Sequence, residues 1–115
     1  MDIKKIKQRL DKFAEDRNWK KFHTPKNLVM ALSVEVAELV EIFQWSNTGG
    51  IDEIKDPKTQ EKIKEEIADI FNYLLKISGE LDLNLEDIIH EKIDKNEKKY
   101  PINKSFNSSK KYTEL

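Results

Sequence analysis

From Leu28 to Trp45 the chain reads LVMALSVEVAELVEIFQW, an apolar run broken by Glu35, Glu38 and Glu41. A helix with this composition is hydrophobic on nearly every side and is expected to be buried against more than one neighbour. The three glutamates fall at i, i+3 and i+6, which aligns them as a stripe facing something other than hydrocarbon. Thr24-Pro25 supplies an N-cap followed by proline at the first helical position, so the helix starts there. Ser46-Asn47-Thr48-Gly49-Gly50 ends it and is expected to open a flexible loop running to Asp56.

The flanking sequence is also helical. Ile3, Ile6, Leu10 and Phe13 recur among Lys, Gln and Asp, predicting an amphipathic helix from about Asp2 to Arg17. Asn18 to Thr24 breaks that pattern with Trp19, Phe22 and His23. Asp56-Pro57 repeats the cap-plus-proline signal, and Ile63, Ile67, Ile70, Phe71, Leu74 and Ile77 mark a third helix from about Pro57 to Ser78. Gly79 and Leu81 to Leu83 interrupt it, and Asn84 with Asp87 resembles a capping pair for a fourth helix, Leu85 to about Lys99. Pro101 stops that helix. Residues 102–115 lack periodicity and are rich in Ser, Lys and Asn, which predicts a mobile tail or an arm lying on a partner subunit. The expected architecture is all-α and four-helix bundle-like, with one domain over residues 1–101 and its apolar helices completed by oligomerisation.

Composition narrows the function. A chain of 115 residues builds one domain with a modest core, and three glycines and three prolines argue against a β-sandwich or barrel. Charged residues make up 37% and nearly cancel, leaving a net charge of -1 that gives no global attraction to nucleic acid. The absence of cysteine excludes disulfides, thiolate catalysis and zinc-thiolate sites. Met1 to Leu10 has no apolar signal-peptide core and no run approaches a bilayer span, so a cytoplasmic enzyme or binding protein is expected, with no membrane partner.

The residues that demand a function are Glu35 with Glu38 and Glu66 with Asp69. Each pair lies one turn apart on one helix face, inside an apolar stretch where a purely structural helix has little use for carboxylates. Four such groups gathered by two packed helices repel each other and shift their pKa values unless a divalent cation compensates the charge. That predicts a hard-metal site suited to Mg²⁺. Glu41 reads equally as a supporting neighbour or a rim charge, and Glu65 as a solvent-facing one. A solvated acidic stripe is the bland alternative. A carboxylate-bridged di-iron bundle needs a Glu-x-x-His motif on each of two helices, and Asp87-Ile88-Ile89-His90 is the sole near match. A non-catalytic helical oligomerisation or interaction module is the main rival.

Val34-Glu35-Val36-Ala37-Glu38, followed after a spacer by Glu66-Ile67-Ala68-Asp69, resembles the MazG-type all-α nucleoside triphosphate pyrophosphohydrolases. Trp19-Lys20-Lys21-Phe22-His23, Glu38 through Trp45, and Lys92-Ile93-Asp94-Lys95-Asn96 running on to Tyr100-Pro101 look like the branch containing the dCTP pyrophosphatases. Val34 stands where the general pattern has its first Glu, an absence that branch shares. The resemblance implies Mg²⁺-dependent hydrolysis of a (d)NTP, with dCTP or a related pyrimidine triphosphate as substrate, to the monophosphate and pyrophosphate; Mn²⁺ is a plausible substitute. It implies Glu35, Glu38, Glu66 and Asp69 as catalytic metal ligands. By the same resemblance Lys92, Asn96 and Tyr100, a stripe at i, i+4 and i+8, contact phosphates and sugar, and Trp19, His23 and Trp45 surround the base. It also implies a homodimer or homotetramer.

Overall fold

The computed structural model describes residues 1–115, and every regular element in it is helical. Helix α1 (Ile3–Asp16) is capped by Asp2, whose side chain accepts from the Lys5 N–H at 3.0 Å. Helix α2 (Pro25–Phe43) begins with the Thr24 hydroxyl accepting from the Asn27 N–H. Helix α3 (Pro57–Glu80) begins with the Asp56 carboxylate accepting from the Thr59 N–H, a bond that holds this carboxyl below its ordinary range. Helix α4 (Leu85–Lys99) is capped by Asn84. In each case a side-chain oxygen takes up a backbone donor that the first helical turn leaves free.

One boundary and one loop differ from the sequence expectation. Gly79 does not interrupt α3, which continues to Glu80; its single unfavourable propensity, about 1 kcal/mol, is smaller than what the packed helix supplies. The loop after α2 is fastened by Glu53, whose carboxylate accepts from the Ser46 hydroxyl at 2.6 Å and from the N–H groups of Asn47 and Thr48. These donors hold the Glu53 carboxyl down at about 2, the Ser46 hydroxyl contributing most. Gly49 turns the chain with a φ of 70°, a conformation that glycine adopts without steric cost.

The chain divides into two compact units, Met1–Asp82 and Leu83–Leu115. In the first, α2 packs along α3, and α1 packs on α3 as well. Leu28 of α2 and Leu75 of α3 are the fully buried side chains, with Ala14 and Ser78 beside them in the buried set. Helix α1 closes in a Schellman motif: Asn18 takes a φ of 55°, and the Trp19 N–H donates to the Ala14 carbonyl at 2.9 Å. Trp19 is thereby set edge-on to Phe13, centroids 5.8 Å apart. In the second unit, residues beyond Pro101 form a one-turn helix, α5 (Ile102–Ser105), and Tyr112 meets Tyr100 edge-on at 6.0 Å. No helix is long and apolar enough to cross a membrane.

Leu75→Ala removes one of the two fully buried side chains and is expected to cost about 2–5 kcal/mol in urea denaturation. Asp56→Ala, which removes the α3 cap, is expected to cost about 1 kcal/mol. A negligible loss for Leu75→Ala would show that the core lies elsewhere.

Candidate metal centre and adjoining pocket

Helices α2 and α3 act as two rails. Glu35 and Glu38 stand one turn apart on α2, and Glu66 on α3 reaches across to them. Carboxylate oxygens of these three residues all lie within 4.8 Å of one another. Glu35 and Glu66 are half-buried, Glu38 is exposed, and Glu66 Oε2 is inaccessible to solvent and has no hydrogen-bond partner. An unpaired buried carboxylate oxygen is costly, and the like charges around it add to the cost.

The protonation equilibria record that crowding. Loss of solvent, then the proximity of Glu35 and Glu38, pushes the Glu66 carboxyl up to about 7. Glu35 is also raised, first by burial, with Asp69 and Glu38 adding repulsion. The Tyr73 phenol is raised by burial and then by the charges of Glu35 and Asp69. Hard oxygen donors with an orphaned buried oxygen among them suit a hard divalent cation better than they suit each other.

Asp69 stands outside the tight triad. It is exposed and lines a neighbouring pocket of about 410 Å³ with Leu10, Phe13, Trp19, Asn72, Tyr73 and Lys76. On the triad's other side, Glu41 and Glu65 line an open cavity with Glu38 and Glu66, so both belong to the surroundings of the acidic centre.

The remaining sequence candidates are dispersed. His23 faces a separate cavity of about 220 Å³, lined also by Lys7, Lys20 and Lys76. Burial, followed by the Lys76 charge, lowers its imidazole below the ordinary value. Trp45 follows the end of α2 and is 86% exposed. Lys92 and Asn96 lie exposed on α4, and Tyr100 caps that helix within the second unit. Lys99 lowers the Lys92 ammonium first, through like-charge repulsion. Sequence inspection passed over Asn72 and Lys76, although both share the stripe of Asp69 and Tyr73 at helical spacing. Arg9, which lines the same pocket from α1, carried no such signal.

The chain is similar to known proteins of one kind. The MazG-like family model matches residues 30–115. The dCTP pyrophosphatase 1 of Mus musculus is 38% identical over 104 residues, covering 90% of this chain and 61% of that protein. The Homo sapiens dCTP pyrophosphatase 1 matches with the same identity and coverage, so the chain spans about three fifths of the length of these curated relatives. A crystal structure of a pyrophosphatase from Archaeoglobus fulgidus superimposes with a TM-score of 0.79 at 39% identity, covering 88% of this chain and 94% of that one.

The raised Glu66 carboxyl gives the metal-free protein a pH signature. Between its ordinary value of 4.5 and about 7, the folded state binds more protons than the unfolded one, so stability is expected to fall as pH rises through this window. Denaturant melts in chelator across that window check this. Glu66→Gln is expected to flatten the slope; an unchanged slope would mean that Glu66 is not its source.

Proposed function

The chain belongs to the MazG-like family, and on that membership together with the carboxylate triad we propose that it is a nucleoside triphosphate pyrophosphohydrolase. Its substrate is a (d)NTP, dCTP or a related pyrimidine triphosphate, split to the (d)NMP and pyrophosphate. The observation that carries this reading is Glu66 Oε2, buried without a partner between two other carboxylates. A purely assembling helical module leaves that costly arrangement without a purpose.

Glu35, Glu38 and Glu66 would hold Mg²⁺, or Mn²⁺ in its place, with Asp69 completing the acidic wall. A bound divalent cation neutralises phosphate charge and makes water a better nucleophile at neutral pH. The protein's own groups align the chemistry. One of the four carboxylates receives the proton of the attacking water as the α–β anhydride opens and pyrophosphate leaves with the bridging oxygen. The neighbouring pocket takes the base: Trp19, fixed by the Schellman turn and the edge of Phe13, offers a π face. The family resemblance also implies His23 and Trp45 at the base and Lys92, Asn96 and Tyr100 at the phosphates and sugar, but in this chain His23 lines a cavity separate from that of Trp19 and Trp45 is exposed, so these roles rest on the resemblance alone. A lysine brings point charge to phosphate, while an amide and a phenol bring directional hydrogen bonds. The site works in the cytoplasm, where nucleotides are at hand.

The protein acts as a homodimer or homotetramer. Val29, Met30, Val34, Val36 and Val40 leave much of α2 exposed and apolar, while few apolar side chains are buried. Exposed apolar side chains in this number on one helix favour association.

Glu38→Gln and Asp69→Asn are each expected to abolish nearly all pyrophosphate release from dCTP while preserving the helical circular dichroism. Retention of more than about a tenth of wild-type turnover in both, a barrier change below about 1.4 kcal/mol, contradicts the assignment. A panel of purified nucleotides assayed for pyrophosphate identifies the preferred base. Light scattering behind size exclusion is expected to give a dimer or tetramer, and a stable monomer at micromolar concentration contradicts the assembly.

A further inference from the structure

Lys76 has an unusual position for a lysine. It is half-buried, next in sequence to the fully buried Leu75, and it lines the pocket that holds Asp69 and Trp19. The ion pairs of this structure are Lys12 with Asp16 and Lys20 with Glu15; Lys76 forms none, although Asp69 shares its pocket and Glu80, one turn along α3, lines the His23 cavity with it. Its neighbour is the Tyr73 ring, 5.1 Å from Nζ, an attraction that steadies the stem without using the ammonium's three donors. Burial disfavours its charged form, with Asp69 offsetting only part of that. A cation kept in an aromatic pocket with unused donors is suited to an acceptor supplied by a ligand.

Helix α3 shows which part of a nucleotide that acceptor belongs to. Glu66 in the triad and Lys76 are ten residues apart, about 15 Å along the axis at the helical rise. The phosphates belong at the Glu66 end, so Lys76 lies toward the far end of a bound nucleotide. The walls there are Leu10, Phe13, Trp19 and Tyr73, surfaces that suit a flat ring and not a phosphate. Arg9, the other cation of the pocket, is exposed at its rim, where water satisfies its charge.

We propose that Lys76 is a specificity residue that donates a hydrogen bond to an exocyclic carbonyl of the base, selecting pyrimidines over adenine. Every pyrimidine carries a carbonyl at C2, whereas adenine presents ring nitrogens and an amino group and has no exocyclic oxygen. Adenine offers only ring nitrogens as acceptors, set at other positions than the C2 carbonyl, so an ammonium fixed to meet that carbonyl loses water without an aligned acceptor in return, which is how a polar pocket rejects the wrong ligand. Asn72 on the same wall offers a donor and an acceptor to the remaining ring edge.

The proposal rests on the reading of this pocket as the base site, and its test is a binding measurement that needs no turnover. Isothermal titration of the full chain with dCMP, dTMP and dAMP would be compared for wild type, Lys76→Met, which keeps most of the stem, and Lys76→Arg, which keeps donors. Lys76→Met is expected to weaken dCMP and dTMP by about 10- to 100-fold while dAMP changes little, and Lys76→Arg to restore part of the loss. Equal weakening of all three nucleotides would assign Lys76 to the phosphate, and no weakening would assign it no ligand; either overturns the proposal. A wild type that binds no pyrimidine monophosphate overturns it too. If wild type still releases pyrophosphate from dCTP in any of these cases, the hydrolase reading stands and only the role of Lys76 falls; failure of that release as well removes both.

Discussion

The rest of the structure depends on the alignment of α2 with α3, because that packing forces carboxylates of Glu35, Glu38 and Glu66 to within 4.8 Å of each other. Packing of α2 on α3, with Leu28 and Leu75 fully buried, draws together groups that would separate if free. The energy is stored as a raised Glu66 carboxyl and an unpaired Oε2. A proton relieves that stress partly, and on the proposed reading a divalent cation would relieve it more fully. Local destabilisation of this kind is characteristic of functional sites, where titratable groups are held away from their ordinary behaviour.

Much of this was legible in the sequence because it depends on local chemistry. Thr24-Pro25 and Asp56-Pro57 announced two helix starts, Asn84 a third, and the i, i+3 acidic pairs placed Glu35 with Glu38 and Glu66 with Asp69 on single faces. The less legible features are tertiary. Asp69 shares a face with Glu66, yet it lines the adjacent pocket instead of joining the tight triad, since one turn of helix displaces its side chain along the axis. His23 and Trp19, four residues apart, line different cavities after the Schellman turn redirects the chain. The loop after Trp45 reads as flexible from its Ser, Asn and Gly content. Its order comes from Glu53, a residue several positions downstream whose partners are backbone N–H groups that sequence does not display.

Core and surface complement this site. A unit with few fully buried apolar side chains and exposed valines on α2 would gain stability from the association proposed above. The apolar surface that favours assembly lies on the helix that carries Glu35 and Glu38, so stability and the acidic centre are linked through one element. Helix α3 carries both the acidic Glu66 and, further along, Asp69, Tyr73 and Lys76 lining the aromatic pocket, so the two parts of the proposed site lie on one element.

The central claim is that these carboxylates are a cation site. Anomalous diffraction from crystals grown with Mn²⁺ tests it most directly. The account predicts a peak among Glu35, Glu38 and Glu66, with Glu66 Oε2 as a ligand. Crystals showing Mn²⁺ bound at other residues, or no peak among these three at millimolar Mn²⁺, would contradict it.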